Sequence, residues 1–281
     1  MSNIETTSAA SDAKPSESLW DQIRTVIFAL LIALVVRTLI FQPYTIPSAS
    51  DEPNLYQGDY IIVSKWSYGY SRHSILGSPP LFKGRVFNRA PTRGDVIVFK
   101  LPRDGHTDYI KRLIGMPGDR VQVRQGQVYI NGKALAEGTP RIVTAHDRGW
   151  PEDARWVRET NPEGRRYLTQ IHGSGNEIAD NTGVYVVPPH CYFMMGDNRE
   201  NSLDSRFDPG LLPDSPKLGG CGWDPALDAY LPPEIGVGFL PEENLVGRAR
   251  LVLVSWRENA SLFKPWTWLD LRPNRFLKVI H

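Results

Sequence analysis

The chain has 281 residues, of which 41% are hydrophobic and 22% are charged, so it can form one large or two small domains with a buried core. Its 32 basic and 31 acidic residues leave a net charge of +1, which gives no electrostatic argument for binding nucleic acid. Frequent glycine (24), proline (23) and aromatic residues (10%) favour an all-β scaffold over a helical one.

The first feature in chain order is an apolar segment near the N-terminus. Residues 1–19 are rich in Ser, Ala, Thr, Asp and Glu, which predicts a disordered tail. Residues 20–41 are predicted to form a transmembrane helix, because about 20 mostly apolar residues suffice to cross a bilayer. Arg24 and Arg37 fit this interpretation if their side chains reach toward opposite membrane faces.

A cleaved signal peptide and a buried core helix are the two alternatives to an anchor. We favour an uncleaved anchor, because no small-x-small cleavage site follows and Pro43 and Pro47 come at once. The charges do not decide the orientation of the helix, since acidic residues outnumber Lys14 and Arg24 on its N-terminal side.

Beyond the anchor, short β-rich segments alternate with turns. The segments are rich in β-branched and aromatic residues, several open at a Gly-Asp turn, and one ends at Asn-Gly, a strong hairpin signal. The predicted strands are 58–65, 93–100, 108–115, 121–123, 128–130, 184–187, 192–195 and 245–254.

These strands predict a β core that is interrupted by an insertion. Residues 42–133 and 184–257 are assigned to the antiparallel core, and the more polar residues 134–183 to a smaller inserted β lobe. Within the core, 208–233 is rich in Pro and Gly and is predicted to be an extended loop. The tail 258–281, with tryptophans and basic residues, is predicted to form a short surface or interfacial helix.

The chain has two cysteines, Cys191 and Cys221. They are too few for a four-ligand zinc site. One disulfide and two unpaired thiols both remain open from the sequence.

Ser50 is the candidate nucleophile, and it needs a group that takes its proton. The six histidines lie in no recognisable triad motif, and there is no G-x-S-x-G elbow. A lysine that is kept neutral by burial is another solution, although its reference pKa is about 10.4. Lys111 is the best candidate, because apolar neighbours in its predicted strand can bury it; the alternative is an ordinary surface lysine.

A polar block at 196–206 follows an apolar strand and contains two residues each of Asp, Arg, Asn and Ser. One interpretation is a solvated loop that is rich in Asx turns. The other is a polar network that supports a neighbouring site.

The motifs occur in a specific order. They are Pro-Ser-x-Ser, Gly-Asp-Tyr, Arg-Gly-Asp-Val, Tyr-Ile-Lys-Arg-x-x-Gly-x-Pro-Gly-Asp, Asn-Gly, Gly-Asp-Asn-Arg-x-Asn-Ser-x-Asp-Ser-Arg and Pro-Glu-Glu-Asn-Leu-Val-Gly. The motifs follow an apolar anchor and extend across residues 24–256. With motifs in this order, the chain closely resembles bacterial type I signal peptidase (leader peptidase).

The resemblance implies an all-β serine peptidase with a Ser–Lys dyad. Ser50 would attack the scissile carbonyl and Lys111 would be the general base. The Ser48 hydroxyl and the Ser50 backbone N–H would form the oxyanion hole, and Ser202 would orient Lys111. The remaining implied roles are an Asp204–Arg206 ion pair with Asp197 and Arg199 beside it, and shallow apolar substrate pockets at Ile46, Pro47, Leu55, Tyr109 and Ile110.

The resemblance also implies the partners and the location. The substrates would be exported preproteins that carry signal peptides and are cut after small-x-small residues. The single-pass anchor would lie in the lipid bilayer of the bacterial cytoplasmic (inner) membrane, with the 1–19 tail on the cytoplasmic side and the catalytic domain on the extracytoplasmic side. There the catalytic domain could contact the export machinery. Neither a cofactor nor a metal is implied.

Three positions depart from the family pattern: Ala49 stands for Gly, Asp51 for Met and Asn54 for Thr. Asp51 matters most, because a carboxylate is costly to bury and would favour the charged form of a nearby lysine. We expect Asp51 either to turn to solvent or to shift the activity optimum to higher pH.

Two other functions are alternatives to an active signal peptidase. One is a catalytically impaired homologue that only binds preproteins or partners, which Asp51 alone supports. The other is a self-cleaving SOS-type repressor with a Ser–Lys β core, which would need an N-terminal DNA-binding unit where this chain has the apolar segment.

Overall fold

The structure is a computed structural model that describes residues 18–143, 154–172, 178–207, 221–222, 236–257, 260 and 265–281. The N-terminal tail therefore lies outside the described residues, except for Ser18 and Leu19. The predicted extended loop 208–233 also lies outside them, except for Cys221 and Gly222.

One apolar helix precedes the β structure, as predicted. Helix α1 spans Leu19–Val35 and is capped by Ser18, whose hydroxyl accepts a backbone N–H of the first turn at 3.2 Å. It continues as a π-helical segment, Val36–Ile40, and the two make 22 residues with none buried against the rest of the protein. A helix of this length spans about 30 Å, the thickness of a bilayer's hydrocarbon core. Phe41 already begins the first strand.

The core is an eight-stranded antiparallel sheet, and it confirms the predicted fold class. Seven strands lie in the order β1-β2-β14-β3-β4-β12-β13, and β15 pairs with β14. The strands are β1 (Phe41–Thr45), β2 (Asp59–Ser64), β3 (Val96–Lys100), β4 (Asp108–Gly115), β12 (Cys191–Met195), β13 (Phe239–Pro241), β14 (Leu245–Ser255) and β15 (Lys278–Val279).

Strand β4 is the central element for the site. It lies between β3 and β12, and every residue from Ile110 to Gly115 is buried. Successive side chains of a strand point to opposite faces, so a strand that is covered on both faces buries neighbouring residues in different surroundings. Lys111 and Arg112 are therefore both buried, at 4% and 0% exposure, on opposite faces of the sheet.

Two smaller sheets extend the core. In the four-stranded sheet, Asn131 and Gly132 both adopt positive φ angles and form the predicted tight hairpin between β6 and β7. This sheet begins at Arg120, so it draws on residues that the sequence had assigned to the main core. The strands are β5 (Arg120–Arg124), β6 (Gln127–Ile130), β7 (Lys133–Ala134) and β11 (Tyr185–Val186) in the order β11-β5-β6-β7, and β8 (Ala136–Val143), β9 (Ala154–Thr160) and β10 (Arg166–Ile171) in the order β10-β9-β8.

The two cysteines form a disulfide, which resolves the alternative that the sequence left open. Cys191 at the start of β12 bonds to Cys221, 30 residues later, with the two Cα atoms 5.6 Å apart. The bond ties the segment around Cys221 to a buried strand of the core.

The C-terminal tail differs from its prediction. In place of a surface helix, the described residues contain two short 3₁₀ turns, Pro265–Thr267 and Pro273–Arg275, and strand β15. Strand β15 pairs with β14, so backbone hydrogen bonds to the sheet replace those of a helix. Arg275 also forms a buried ion pair with Asp59 at the start of β2.

Candidate active site

Ser50 lies in the loop that joins β1 to β2. Two backbone hydrogen bonds close the base of this loop, from Ile46 N to Asp59 O at 2.9 Å and from Gly58 N to Ile46 O at 3.0 Å. A third contact fixes the nucleophile itself, because Asn198 N donates to the Ser50 carbonyl at 3.0 Å. The loop therefore has a defined shape and presents Ser50 next to the polar block.

Lys111 reaches Ser50 from β4, and the structure brings the two candidate catalytic residues together. Lys111 Nζ donates to Ser50 Oγ at 2.6 Å and to Ile110 O at 2.8 Å. Both side chains are buried, with Ser50 at 7% exposure. An amine this close to a hydroxyl is placed to take its proton.

Asp51 joins the same cluster, so the expectation that it turns to solvent is wrong. It is only 1% exposed, and its Oδ2 accepts the Ser50 hydroxyl at 2.9 Å and lies 3.6 Å from Lys111 Nζ. Burial raises the pKa of Asp51 to about 6, although the positive charge of Lys111 acts in the opposite direction. Asp51 Oδ1 is buried and has no hydrogen-bond partner within the described part of the chain.

A cleft of about 520 Å³ opens over these residues. Ser48 Oγ lies 3.4 Å from Ser50 Oγ at its wall, where a hydroxyl can face a developing oxyanion. The lining residues are Pro47, Ser48, Ser50, Thr107, Asp108, Tyr109, Ile110, Lys111, Glu200, Asn201, Ser202, Leu203 and Phe207.

Two of the five predicted substrate-binding residues lie elsewhere. Ile46 and Leu55 are 2% and 0% exposed and pack in the apolar core with Ile61, Val63 and Val246. Neither side chain lines the cleft, so both residues shape the loop from beneath. The other three, Pro47, Tyr109 and Ile110, line the cleft.

The polar block beside the loop is an ion-paired network and not a solvated loop. Asp204 and Arg206 pair as predicted, with both guanidinium contacts at 2.9 Å. Burial alone would raise the pKa of Asp204, but Arg206 outweighs it and the pKa lies below its usual value. Asp204 Oδ2 also accepts Gly196 N at 3.1 Å, which fixes the start of the block.

Asp197 and Arg199 each pair with a residue from a different strand. Arg112 holds Asp197 through two contacts of 2.7 Å, and both side chains are almost completely buried. Arg199 Nη2 donates to Glu159 Oε2 on β9 at 2.6 Å. The three-stranded sheet therefore stabilises the block, since a carboxylate on its strand β9 neutralises a buried guanidinium next to the site.

Ser202 lines the cleft, but its predicted hydrogen bond to Lys111 is not formed. Its Oγ is buried and has no hydrogen-bond partner among the residues that the structure describes. The hydroxyl instead lies against Gly196, where an added Cβ would come within 2.3 Å of it and within 2.5 Å of Ser50 O. Only glycine permits this close approach of the block to the nucleophile loop.

The sequence interpretation missed several supporting residues. Arg112 and Asn198 stand inside the quoted motifs, which could have identified them, but the resemblance implies no role for either residue. Asn54, which departs from the family pattern, also supports the site, because its Nδ2 donates to Asp197 Oδ2 at 2.7 Å. Glu159 and Arg275 carry no local signal, because only the fold brings the lobe and the tail to this site.

Comparison with known proteins gives the same family as the motifs. The family model described as "Signal peptidase, peptidase S26" matches residues 19–256. The chain belongs to this signal peptidase family. Signal peptidase I of Rickettsia typhi is 35% identical over 290 residues, covering 96% of this chain and 97% of the relative. That of Rickettsia massiliae is 41% identical over 275 residues, covering 91% of each.

Among solved structures, a crystal structure of a signal peptidase I from Enterococcus faecalis V583 is similar at 25% identity and a TM-score of 0.29. It covers 57% of this chain and 97% of that chain. Membership of the signal peptidase family rests on the family model and the two relatives, which span almost the whole sequence. Together with the apolar N-terminal helix, it makes this chain a membrane-anchored serine peptidase.

Proposed function

We propose that this chain removes signal peptides from exported preproteins, with Ser50 as the nucleophile and Lys111 as the general base. The observation that carries the proposal is the 2.6 Å contact between Lys111 Nζ and Ser50 Oγ at the wall of an open cleft. Membership of the signal peptidase family supports the substrate class.

The residues fit a two-step acyl transfer. Ser50 Oγ attacks the scissile carbonyl as its proton leaves toward Lys111, and Lys111 then protonates the departing amine. The Ser48 hydroxyl and the Ser50 backbone N–H would hold the oxyanion, and each such donor contributes about 3–4 kcal/mol to catalysis. A water molecule, activated by the same lysine, would hydrolyse the acyl-enzyme.

The cleft suits a substrate with small side chains near the cut. Its apolar wall consists of Pro47, Tyr109 and Ile110, close to Ser50 and Lys111. We propose that these three residues contact the small residues of the small-x-small motif. A bulky residue at the cleavage position would meet the packed loop beneath Ser50.

We further propose that the anchor lies in the bacterial cytoplasmic (inner) membrane, with the cleft on the extracytoplasmic side and close to the export machinery. Two features of the chain support a fixed height above the bilayer. Strand β1 begins directly at Phe41, without a linker, and Tyr70 Oη donates to Leu39 O at 2.7 Å. Protease protection in intact spheroplasts and in inverted vesicles tests the side: the cleft domain should be degraded only in spheroplasts.

Turnover of a preprotein by the detergent-solubilised chain tests the function. Ser50→Ala and Lys111→Ala should each lower cleavage by at least 10⁴-fold, as in other serine hydrolases, while thermal unfolding still shows a folded chain. Cleavage retained in either variant would contradict the dyad. An inactive parent that still binds preprotein would instead support the impaired homologue.

A further inference from the structure

The reaction centre contains one ionisable group more than a Ser–Lys dyad needs. Ser50 Oγ accepts a hydrogen bond from Lys111 Nζ at 2.6 Å and donates one to Asp51 Oδ2 at 2.9 Å. Asp51 Oδ2 lies 3.6 Å from Lys111 Nζ, so the three groups form a closed triangle. All three side chains are buried, and therefore bulk water does not screen their interactions.

The location of the proton is the central question for such a triangle. A lone lysine can accept the serine proton only after it has lost its own, and its reference pKa is about 10.4. A lysine beside a carboxylate is different, because the two groups together can hold zero, one or two protons. The form with one proton is electrically neutral and still has room for the proton of Ser50.

We propose that Asp51 is a catalytic residue that shares one proton with Lys111, and that this pair, not a neutral lysine alone, accepts the hydroxyl proton of Ser50. The proposal rests on the proposed function of Ser50 and Lys111. It assigns the carboxylate a direct role, since Asp51 Oδ2 touches the oxygen that attacks the substrate.

The proton count closes over a full cycle. The Ser50 O–H bond breaks, its proton passes to the pair, which then holds two, and Oγ bonds to the scissile carbon. When the C–N bond breaks, Lys111 gives a proton to the leaving amine and the pair returns to one. Water then loses a proton to the pair and its oxygen attacks the acyl group. The C–O bond to Ser50 breaks, and Oγ recovers a proton from the pair.

The charges around Asp51 set the pH range of the one-proton form. Lys111 and Arg112 on β4 favour the carboxylate, whereas Asp197 in the polar block opposes it. Glu52, the next residue of the loop, is buried as well. Burial dominates and raises the pKa of Asp51 to about 6. The pair therefore gains its second proton, and loses activity, as the pH falls through about 6.

The acid limb of the pH profile is the range at low pH in which activity falls as the pH is lowered. The direction in which a variant moves this limb separates the proposal from its alternatives. The experiment is the pH profile of kcat/KM for preprotein cleavage by the full chain, compared with Asp51→Asn and Asp51→Met. Both variants leave Lys111 as a lone base, so we expect the acid limb to move to higher pH by at least one unit. Activity at pH 6.5, relative to the plateau of each protein, should therefore be at least about threefold lower in the variants than in the parent.

Two results would overturn the proposal. If Asp51 only stabilises the charged form of Lys111, its removal frees the base and the acid limb moves to lower pH. If Asp51 takes no part, the limb stays where it is. Loss of folded protein is checked by thermal unfolding, and the Met variant provides a second, apolar replacement in case Asn does not fold.

Two controls keep this test apart from that of the proposed function. Glu137→Gln removes a carboxylate from an exposed position on β8 and should leave the profile unchanged. Ser50→Ala establishes that the cleavage measured belongs to this site. If Ser50→Ala retains cleavage, the proposed function fails. If it abolishes cleavage while the Asp51 variants keep the parent acid limb, only the role of Asp51 fails.

Discussion

Lys111 and Arg112 are neighbours on β4, yet they belong to two regions whose ion pairs differ in length. Lys111 lies in the reaction centre, where its contact with Asp51 is 3.6 Å long. Arg112 belongs to what we call the ionic block, the pairs Arg112–Asp197, Arg199–Glu159 and Arg206–Asp204, whose contacts are 2.6 to 2.9 Å. One strand thus supplies a cation to each region, on opposite faces of the sheet.

The difference follows from the chemistry of the two side chains. A guanidinium does not lose its proton in proteins, and its planar fork matches a carboxylate through two contacts, so arginine suits a fixed, buried ion pair. An ammonium releases its proton when its surroundings favour the neutral form. The ionic block therefore holds the fold, and the looser Lys111–Asp51 pair can take part in proton transfer.

Replacing each cation of β4 by methionine tests this contrast most strongly. Arg112→Met leaves Asp197 buried without its cation and removes the donor to Gly94 O and His281 O, both at 2.7 Å. We expect a loss of about 3–5 kcal/mol in the free energy of unfolding. Urea unfolding of the detergent-solubilised chain, followed by tryptophan fluorescence, measures it.

Lys111→Met is the matched variant, because it removes a buried cation one residue away from Arg112. Asp51 has a raised pKa and can take up a proton when its partner is lost, so the loss of stability should be less than about half as large. Cleavage should nevertheless disappear. Equal losses of stability in the two variants would contradict this contrast, because Lys111 would then stabilise the fold as much as Arg112 does.

A covalent bond distant from both regions provides the next test. The disulfide closes a separation of 30 residues, and removing such a link costs about 2–4 kcal/mol. Cys191 lies at the opposite end of β12 from Gly196, so the double variant Cys191→Ala, Cys221→Ala should lose stability and keep kcat. Reductant should destabilise the parent and leave the double variant unchanged.

Sequence reasoning was most successful where the physics is local. The apolar length of the anchor, the β-branched segments and the Asn131–Gly132 hairpin each depend on neighbouring residues, and the predicted fold class is confirmed. The tail was predicted wrongly because its choice between helix and strand is decided by a distant partner. The tail forms the backbone hydrogen bonds of a strand at the sheet edge, because Lys278–Val279 pair with Leu251–Val252.

The site shows the same division. The motifs and the resemblance identified Ser50 and Lys111, and the structure places them in contact. They did not identify the partner of each charge, because Glu159 comes from the inserted lobe, 40 residues before Arg199. They also misplaced Ile46 and Leu55, since an apolar residue near a nucleophile can line a pocket or pack beneath it.

The reaction centre should also leave a pH signature in stability. Well below pH 3.8 Asp51 is protonated in both the folded and the unfolded chain, so its titration does not change the free energy of unfolding there. Between 3.8 and about 6 the folded chain holds a proton that the unfolded chain has lost, and stability falls as the pH rises. The full penalty, about 3 kcal/mol, is present above pH 6.

Asp51→Asn lacks this titration, so its stability relative to the parent should rise between pH 4 and pH 7 by up to about 3 kcal/mol. Urea unfolding of both proteins at the two pH values gives this difference. The exposed Glu137→Gln variant is the control, and its stability relative to the parent should change little. A constant difference between Asp51→Asn and the parent would mean that the folded chain does not raise the pKa of Asp51.

Ser202→Ala should have the smallest effect on stability and, unlike Arg112→Met and the loss of the disulfide, it should stabilise the chain. The Ser202 hydroxyl is buried against Gly196 and has no partner within the described residues, and leaving such a group unpaired costs about 1–3 kcal/mol. Its removal should therefore raise the free energy of unfolding by about 1 kcal/mol. If Ser202 orients Lys111 once a substrate fills the cleft, kcat should fall about tenfold in the same variant. Higher stability with lower activity would place Ser202 with the reaction centre, whereas lower stability would mean that the hydroxyl already has a partner and belongs to the scaffold.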